Sequence, residues 1–373
     1  MNLSIYGQRK SQKGSLCSMA WPSLIWINNP TNFLHSLPYM ITTEVDQPVH
    51  IVVVGAGPAG ATFAMLLVQF FREKDREVKV TVYESRVIKE GNHYRWRNEN
   101  DEPRNKRRRQ VITLQNSVLE LLPDILNAKI NESQNIEKNV WKNSINIPIM
   151  EYEDMALKLI QEEPFNEMIT ISPQKMEPEI FKLAATPKCD LLVFADGSSS
   201  VAFNHPGIHK CSFGHTDYAL GVPYHVSQPN STEEATRLQN LNVAITVGQT
   251  RYLMNSLRSE RGYINIRLNS EEFKLVNQGD TLDDIESRAS GNEQLQSLCQ
   301  VIMDGLSLFG IDPTHTQSID KFPIQMHYAS CRYYQSGNYA NAPICLIGNA
   351  AMSVHFWPGR GANSGIKSAY ALA

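Results

Sequence analysis

The sequence predicts an α/β fold: a parallel sheet interrupted by an inserted α+β region that carries an antiparallel sheet. Three observations predict it. "IVVVGAGPAGATFAML" (51–66) reads as a buried strand, a glycine turn and a helix. "DLLVFADG" (190–197) and "APICLIGNAA" (342–351) are two further apolar runs that end in glycine. Between them, "NVAITVG", "RYLMNSL" and "GYINIRL" alternate as half-buried antiparallel strands do, and "SEEFKLVNQ" and "NEQLQSLCQVIMDGL" have helical spacing.

Bulk properties bound the function. A chain of 373 residues fits one large domain or two intertwined ones. Its 42% apolar and 20% charged content is that of a globular protein. A net charge of −3 argues against a general nucleic-acid binder. Six cysteines with no C-x-x-C pair suit free thiols in a reducing compartment. No H-x-x-x-H pair stands on an evident helix, so no metal site is expected. No run is apolar enough to span a bilayer, and a cytoplasmic location is expected. Residues 1–47 contain no Asp or Glu before Glu44 but include Arg9, Lys10 and Lys13. They are expected to be a disordered extension, with Met40 as an alternative start. An organelle transit peptide is the other reading.

Order is expected from Pro48. His50–Val54 is a β-branched run typical of a strand covered on both faces. Ala61–Phe71 is apolar at helical spacing, and "VKVTVYE" (78–84) alternates as a second strand. A right-handed crossover places that strand beside the first. Residues 86–110 are polar and basic and end in "PRNKRRRQ"; "VITLQNSVLELLPDIL" then reads as a short extended piece leading into a helix. The division expected is 48–203 for the first part of a Rossmann-like domain, 204–340 for the inserted domain, and 341–373 for the second part. The chain is expected to be truncated, because "GANSGIKSAYALA" stops inside a helix.

The glycines carry the first chemistry. Gly55 permits a tight turn, Gly57 lets backbone N–H groups approach a pyrophosphate across Pro58 and Ala59, and Gly60 lets helix pack on strand. The helix N-terminus adds partial positive charge. Glu84, ending the second strand, has the place of an acid that accepts hydrogen bonds from both ribose hydroxyls of an adenosine. It would repel a 2′-phosphate. FAD and NAD both satisfy these features. The downstream segments favour FAD. Asp196 and Gly197 follow one strand, Gly348 and Asn349 follow another, and Pro358, Gly359, Gly361, Ala362 and Asn363 precede a helix. A second glycine turn and helix N-terminus suit a ligand that continues past its pyrophosphate, with a ribityl chain near Asn349 and a flavin edge near Gly361–Asn363.

"GAGPAGATFA…YESR", "LLVFADGSSS" and "LIGNAAMSVHFWPGRGANSGIKSA", in this order, resemble the motifs of the flavoprotein monooxygenases of the p-hydroxybenzoate hydroxylase type (class A). The resemblance spans about residues 48–373. It implies an FAD-binding domain with an inserted substrate domain. Gly55, Gly57 and Gly60 would meet the FAD pyrophosphate and Glu84 the ribose, with Arg86 as the basic residue after the acid. Arg109 is the first candidate for the pyrophosphate arginine and Arg108 its rival. Asp196 and Gly197 would serve FAD and the transient NAD(P)H encounter. Gly348 and Asn349 would meet the pyrophosphate–ribityl region, and Pro358 and Gly361 the ring.

Three positions depart from the family pattern. Asn349 replaces an Asp, Met352 stands where many members carry His, and Phe203 replaces a common Arg. The implied activity is hydroxylation or epoxidation of an apolar or aromatic small molecule with NAD(P)H and O2, through a flavin C4a-hydroperoxide. A flavin-dependent reductase of the same fold and a degenerate FAD-binding protein are the alternatives. No catalytic side chain is named, because the flavin carries the chemistry. "KRRRQ" is expected to give one Arg to FAD and the rest to solvent rather than to bind nucleic acid. His355 is expected to pack, as are Tyr252, Tyr263 and Tyr328, unless one of these tyrosines faces the substrate.

Overall fold

The computed structural model describes residues 48–101, 107–133, 136–138, 143–184, 189–225, 251–256, 261–335, 342–354 and 361–373. β1 (Val49–Val54) runs into the glycine turn, α1 (Pro58–Glu73) crosses over, and β2 (Val78–Tyr83) returns parallel to β1 from Val49↔Val78 to Val54↔Tyr83. The helix starts before the apolar spacing does. Pro58 is at its first position, where the fixed φ suits a helix and the missing N–H has no intrahelical partner to lose. β1 is apolar throughout because both faces are covered. Val49, Ile51 and Val53 enter one core with Phe63 and Met65, while Val52 and Val54 enter another with Phe194 and Leu346. Each such side chain contributes about 1.5–3 kcal/mol on full burial.

After β2 the chain makes a hairpin, β3 (Val87–Glu90) and β4 (His93–Trp96), inside the stretch that reads as merely polar. β5 (Val111–Leu114), α2 (Asn116–Leu119), α3 (Asp124–Glu132), β6 (Glu137–Lys138) and β7 (Ile145–Pro148) follow, with β5, β7 and β6 forming a small antiparallel sheet. α4 (Ile149–Ile160) packs on α1, and β8 (Ile169–Ser172) extends the parallel sheet beyond β2. α5 (Ile180–Ala184) leads to β9 (Leu191–Phe194), which pairs with the other side of β1.

The antiparallel sheet is built from β10 (Lys210–His225), β11 (Tyr252–Ser256) and β12 (Arg261–Leu268), then, after three helices, β13 (Asp320–Ala329). The helices are α6 (Ser270–Leu275), α7 (Leu282–Ala289) and α8 (Glu293–Leu308), N-capped by the side chains of Asn269, Thr281 and Asn292. Leu220, Val222, Ile264 and Ile266 of the sheet share a core with Ile285, Leu298 and Ile302 of these helices. "NVAITVG" lies outside the described residues.

The chain then crosses between the sheets in short pieces: β14 (Tyr333–Tyr334), β15 (Ile344–Leu346), α9 (Gly348–Ala351) and β16 (Met352–Ser353), before α10 (Gly361–Leu372) packs on α1. The six-stranded sheet has the order β14-β15-β9-β1-β2-β8, parallel except for β14. The five-stranded sheet has the order β11-β12-β10-β13-β16. So β14, before residue 340, belongs to the parallel sheet, and β16, after it, belongs to the antiparallel one. Pieces of two residues leave no periodicity in a sequence to betray this exchange. No described helix is long and apolar enough to cross a membrane.

Candidate functional site

The three glycine-ended strands are neighbours. Val54 of β1 is level with Phe194 of β9, which is level with Leu346 of β15. Their turns therefore open side by side at the carboxyl edge of the sheet. The chain leaves β1 toward β2 and β8, then returns to β9 and β15 on the opposite side. A crevice is expected where strand order reverses, here between β1 and β9.

Packing at this edge requires the glycines. Gly55 has φ +100°, and a methyl group on it would lie 2.7 Å from the Ala195 carbonyl. A methyl on Gly60 would lie 1.9 Å from the Gly55 oxygen. Gly348 has φ +59°, and its methyl would meet the Ala59 side chain at 3.0 Å. Gly361 faces Asn349, whose Oδ1 would be 4.0 Å from a methyl there. Gly55, Pro58, Ala59, Gly60, Asp196, Gly348, Asn349 and Gly361 thus come together from three distant segments. Pro358 and His355 lie outside the described residues.

Four charges surround the first turn. Glu84, buried just past β2, accepts from the Ala56 N–H at 3.0 Å, from the Arg86 N–H at 3.0 Å, and from the Arg86 guanidinium at 2.9 and 3.1 Å. Burial alone would raise this carboxyl, but the Arg86 charge and these hydrogen bonds outweigh it and leave it below its ordinary value. Burial acts against the charged Arg86, yet Glu84 and Glu153 outweigh it and hold the guanidinium more firmly protonated. Arg86 also lies over the Trp96 ring at 4.8 Å. Arg108 points at Gly57, 3.3 Å from where a methyl there would stand. Both guanidiniums bond to Glu153 of α4, whose side chain is 1% exposed while theirs are 39% and 38% exposed.

The structure brings Arg108, not Arg109, to the glycine turn. In an extended stretch adjacent side chains point opposite ways, and Arg109 reaches the antiparallel sheet instead. It donates to Gln317 Oε1 at 3.0 Å and the Ser318 carbonyl at 3.1 Å, and lies 3.6 Å from Asp320. Arg107 pairs with Asp154. Each described arginine of "KRRRQ" therefore has a carboxylate partner, and the expectation of free, solvated ones gives way to intramolecular pairing. Glu153 and Trp96 carried no sequence signal. Glu153 sits in an unremarked helix, and only its burial beside two cations marks it.

The second turn is neutral in its described contacts. The Gly348 N–H donates to Ser368 Oγ at 3.0 Å, and His327 Nε2 donates to the Asn349 carbonyl at 3.0 Å. The Asn349 side chain is exposed. Asn363 is buried and stitches α10 to β5. It donates to the Thr113 carbonyl at 2.7 Å and accepts from the Gln115 N–H at 3.0 Å. The Asn363 side chain is thus engaged within the fold at the start of α10, beside the small Ala362.

Asp196 Oδ2 accepts from the Val201 N–H at 2.8 Å, whereas its Oδ1 is buried without a partner. Burial, with the nearby Glu84 charge, outweighs the hydrogen bonds from Ser200, Val201 and its own backbone and raises this carboxyl. Gly197 follows with φ +90° and open space beside it. Phe203 lies beneath the Lys210 ammonium, 5.8 Å from its ring, so a cation stands near the position where the family pattern has Arg. Of the tyrosines, Tyr263 is buried and donates toward Asp320 at 3.3 Å, Tyr252 donates to the Val301 carbonyl at 2.9 Å, and Tyr328 is 45% exposed.

No family model matches the chain, and no curated protein matches it in sequence. Solved structures do. CmlS, a flavin-dependent halogenase, is similar with a TM-score of 0.55 at 12% identity, over 87% of this chain and 57% of that one. Bmp2, a flavin-dependent brominase, gives 0.52 at 10% identity, over 86% of this chain and 77% of that one. 2-Methyl-3-hydroxypyridine-5-carboxylic acid oxygenase gives 0.51 at 12% identity, over 87% and 81%. This chain spans little more than half the length of CmlS. The fold of this chain is that of these flavin-dependent halogenases and of the oxygenase.

Proposed function

We propose that this protein is an FAD-dependent monooxygenase acting on an apolar or aromatic small molecule. The observation that carries the reading is the convergence of three separate glycine turns at the ends of adjacent parallel strands β1, β9 and β15. A mononucleotide or NAD would need the first of them. A ligand that runs on past its pyrophosphate uses all three.

The residues fit FAD. A Cβ at Gly57 would crowd the space between the α1 N-terminus and two guanidiniums, which is the place for a diphosphate. Arg108 takes that role rather than Arg109, with Arg86 beside it. Glu84 serves the adenosine ribose. The orphaned Asp196 Oδ1 is an acceptor that a ligand hydroxyl satisfies. Asn349 and the backbone of Gly348, Gly361 and Ala362 serve the neutral part of the cofactor. When bound, the flavin supplies the redox chemistry, with NAD(P)H as reductant and O2 as oxidant. The chain's own residues bind, orient and exclude water.

The division proposed is 48–203 with 341–373 for the Rossmann-like cofactor part and 204–340 for the substrate part. An apolar substrate is supported by Phe213 and Tyr328 on β10 and β13, both largely exposed with rings 5.9 Å apart. Met326 is opposite Phe213, and Met352, just after the Gly348 turn, is opposite Tyr328. Directly opposed residues share a sheet face, so the four form one soft, aromatic surface beside that turn.

The test is a visible spectrum of the purified chain with added FAD, then NAD(P)H and O2 consumption across an aromatic and terpenoid panel, with and without bromide or chloride. Flavin bands and substrate-dependent O2 uptake with a one-oxygen mass gain are expected. A halogenated product would replace monooxygenation by halogenation. Absence of flavin bands would remove the reading altogether.

A further inference from the structure

We infer that His327 is a positioning residue for the Gly348–Asn349 turn, fixing by one hydrogen bond where that turn stands against the antiparallel sheet. The inference rests on the proposed function only in its last step, from the turn to the flavin.

His327 lies near the C-terminal end of β13 and is fully buried. Four segments meet around it. Its Nε2 is 3.0 Å from the Asn349 carbonyl, and its ring meets the Phe203 ring edge-on at 5.8 Å. Ser212 of β10 and Ser353 of β16 are its cross-strand partners. The turn's other described hydrogen bonds run to the parallel-sheet part. Ile347 N–H donates to the Phe194 carbonyl of β9, and Gly348 N–H to Ser368 of α10. Beyond the two-residue pairing of β13 with β16, the imidazole is the described polar link from this turn to the other sheet.

A carbonyl only accepts, so Nε2 carries the proton in this bond. Nδ1 is buried and makes no well-formed hydrogen bond, although the Gln325 backbone lies near the ring, and the Lys210 charge stands close by. A second proton there would be a poorly satisfied buried charge facing the Lys210 ammonium, and burial and that cation together disfavour it. The geometry therefore assigns the neutral Nε2–H form, fixed as donor. Removing it leaves the Asn349 carbonyl without this partner and frees the turn from the sheet.

Three measurements test this. The first is nitrogen-15 NMR of histidine-labelled wild-type chain, with the His327 signal assigned by its loss in His327→Gln. The neutral Nε2–H form is expected, and an Nδ1–H form or an imidazolium would overturn the assignment. The second is amide hydrogen exchange over residues 347–353 in the full chain without added flavin. His327→Met, which fills the space without a donor, is expected to exchange about tenfold faster there, the size of one net hydrogen bond. His327→Gln, which keeps an N–H donor of similar reach, is expected to stay within about twofold. Equal exchange in wild type and both variants would overturn the proposal. If the Met variant does not fold, the NMR form and the Gln variant's exchange decide.

The third is FAD affinity, expected to fall about tenfold in the Met variant and to be restored in the Gln variant. Faster exchange with unchanged FAD affinity would uphold the positioning role. It would count against the reading that this turn meets the flavin.

Discussion

The glycine turns after β1 and β15 touch each other at Ala59 and Gly348, yet they are built for different chemistry. Both use glycine for close approach, and Gly55 and Gly348 both have positive φ. Around the first stand Glu84, Arg86, Arg108 and Glu153; around the second, the described partners are Ser368 and a neutral His327. The four charges cancel in sum but not in space. The acids are buried and the guanidiniums half-exposed, so the field at the mouth of the turn is positive. Glycine thus makes room in both places, and the flanking side chains decide what the room is for. An anionic group suits the first turn and a neutral, hydroxyl-bearing one the second.

The largest expected effect breaks the geometric likeness. Gly60→Ala forces a methyl to 1.9 Å from a backbone oxygen, which no side-chain rotation relieves. It should cost on the order of 3 kcal/mol, the upper end of overpacking. Gly348→Ala meets a side-chain methyl at 3.0 Å and a left-handed backbone, and should cost about 1–2 kcal/mol. Urea midpoints of the two variants check the order. Equal losses would mean that the first turn yields as easily as the second.

Next in size is the contrast in charge. Arg108→Ala should weaken FAD binding by roughly 10- to 100-fold, because it removes a charge-assisted contact. Asn349→Ala should cost only about threefold to tenfold, as expected for a neutral hydrogen bond. Raising salt should weaken wild-type and Asn349→Ala binding alike and act less on Arg108→Ala. Titration of FAD at low and high ionic strength measures all three. A salt response that survives intact in Arg108→Ala would take the anion away from this guanidinium.

Much of the parallel edge was legible because it rests on strong local signals: β-branched runs, glycines and a strand-ending acid. Gly55, Glu84, Asp196 and Gly348 each follow a strand end by one or two residues, as those apolar runs predict. What escaped is what only three dimensions assemble. Arg108 and Arg109 are adjacent in the chain, and no rule of composition says which side of an extended segment meets α1. Glu153 lies 67 residues beyond Arg86 in an ordinary helix. His327 lies on the other sheet altogether. The short β14 and β16 exchange sheets, so on each side of residue 340 one two-residue strand pairs with the other sheet.

Two buried acids of the same crevice, Glu84 after β2 and Asp196 after β9, respond to pH in opposite directions, with the smallest expected effect on stability. The Glu84 carboxyl is depressed in the folded state, so its stabilising contribution is present above the unfolded value and is lost as pH falls through the folded one. Asp196 is the reverse. Burial raises it, so the native state holds its proton longer, and stability is lost as pH rises through the interval between its unfolded and folded values. Glu84→Gln should therefore flatten the stability curve below about pH 4, where ordinary carboxylates titrate. Asp196→Asn should gain on wild type as pH rises from about 4 toward neutrality, since it keeps an acceptor for the Val201 N–H and loses the buried charge. Urea midpoints followed over roughly pH 3 to 7 separate the two slopes. Curves that stay parallel to wild type in both variants would mean that neither acid titrates differently on folding. Adding FAD should then shrink the Asp196 slope, because a ligand hydroxyl donating to Oδ1 supplies the partner that this oxygen lacks.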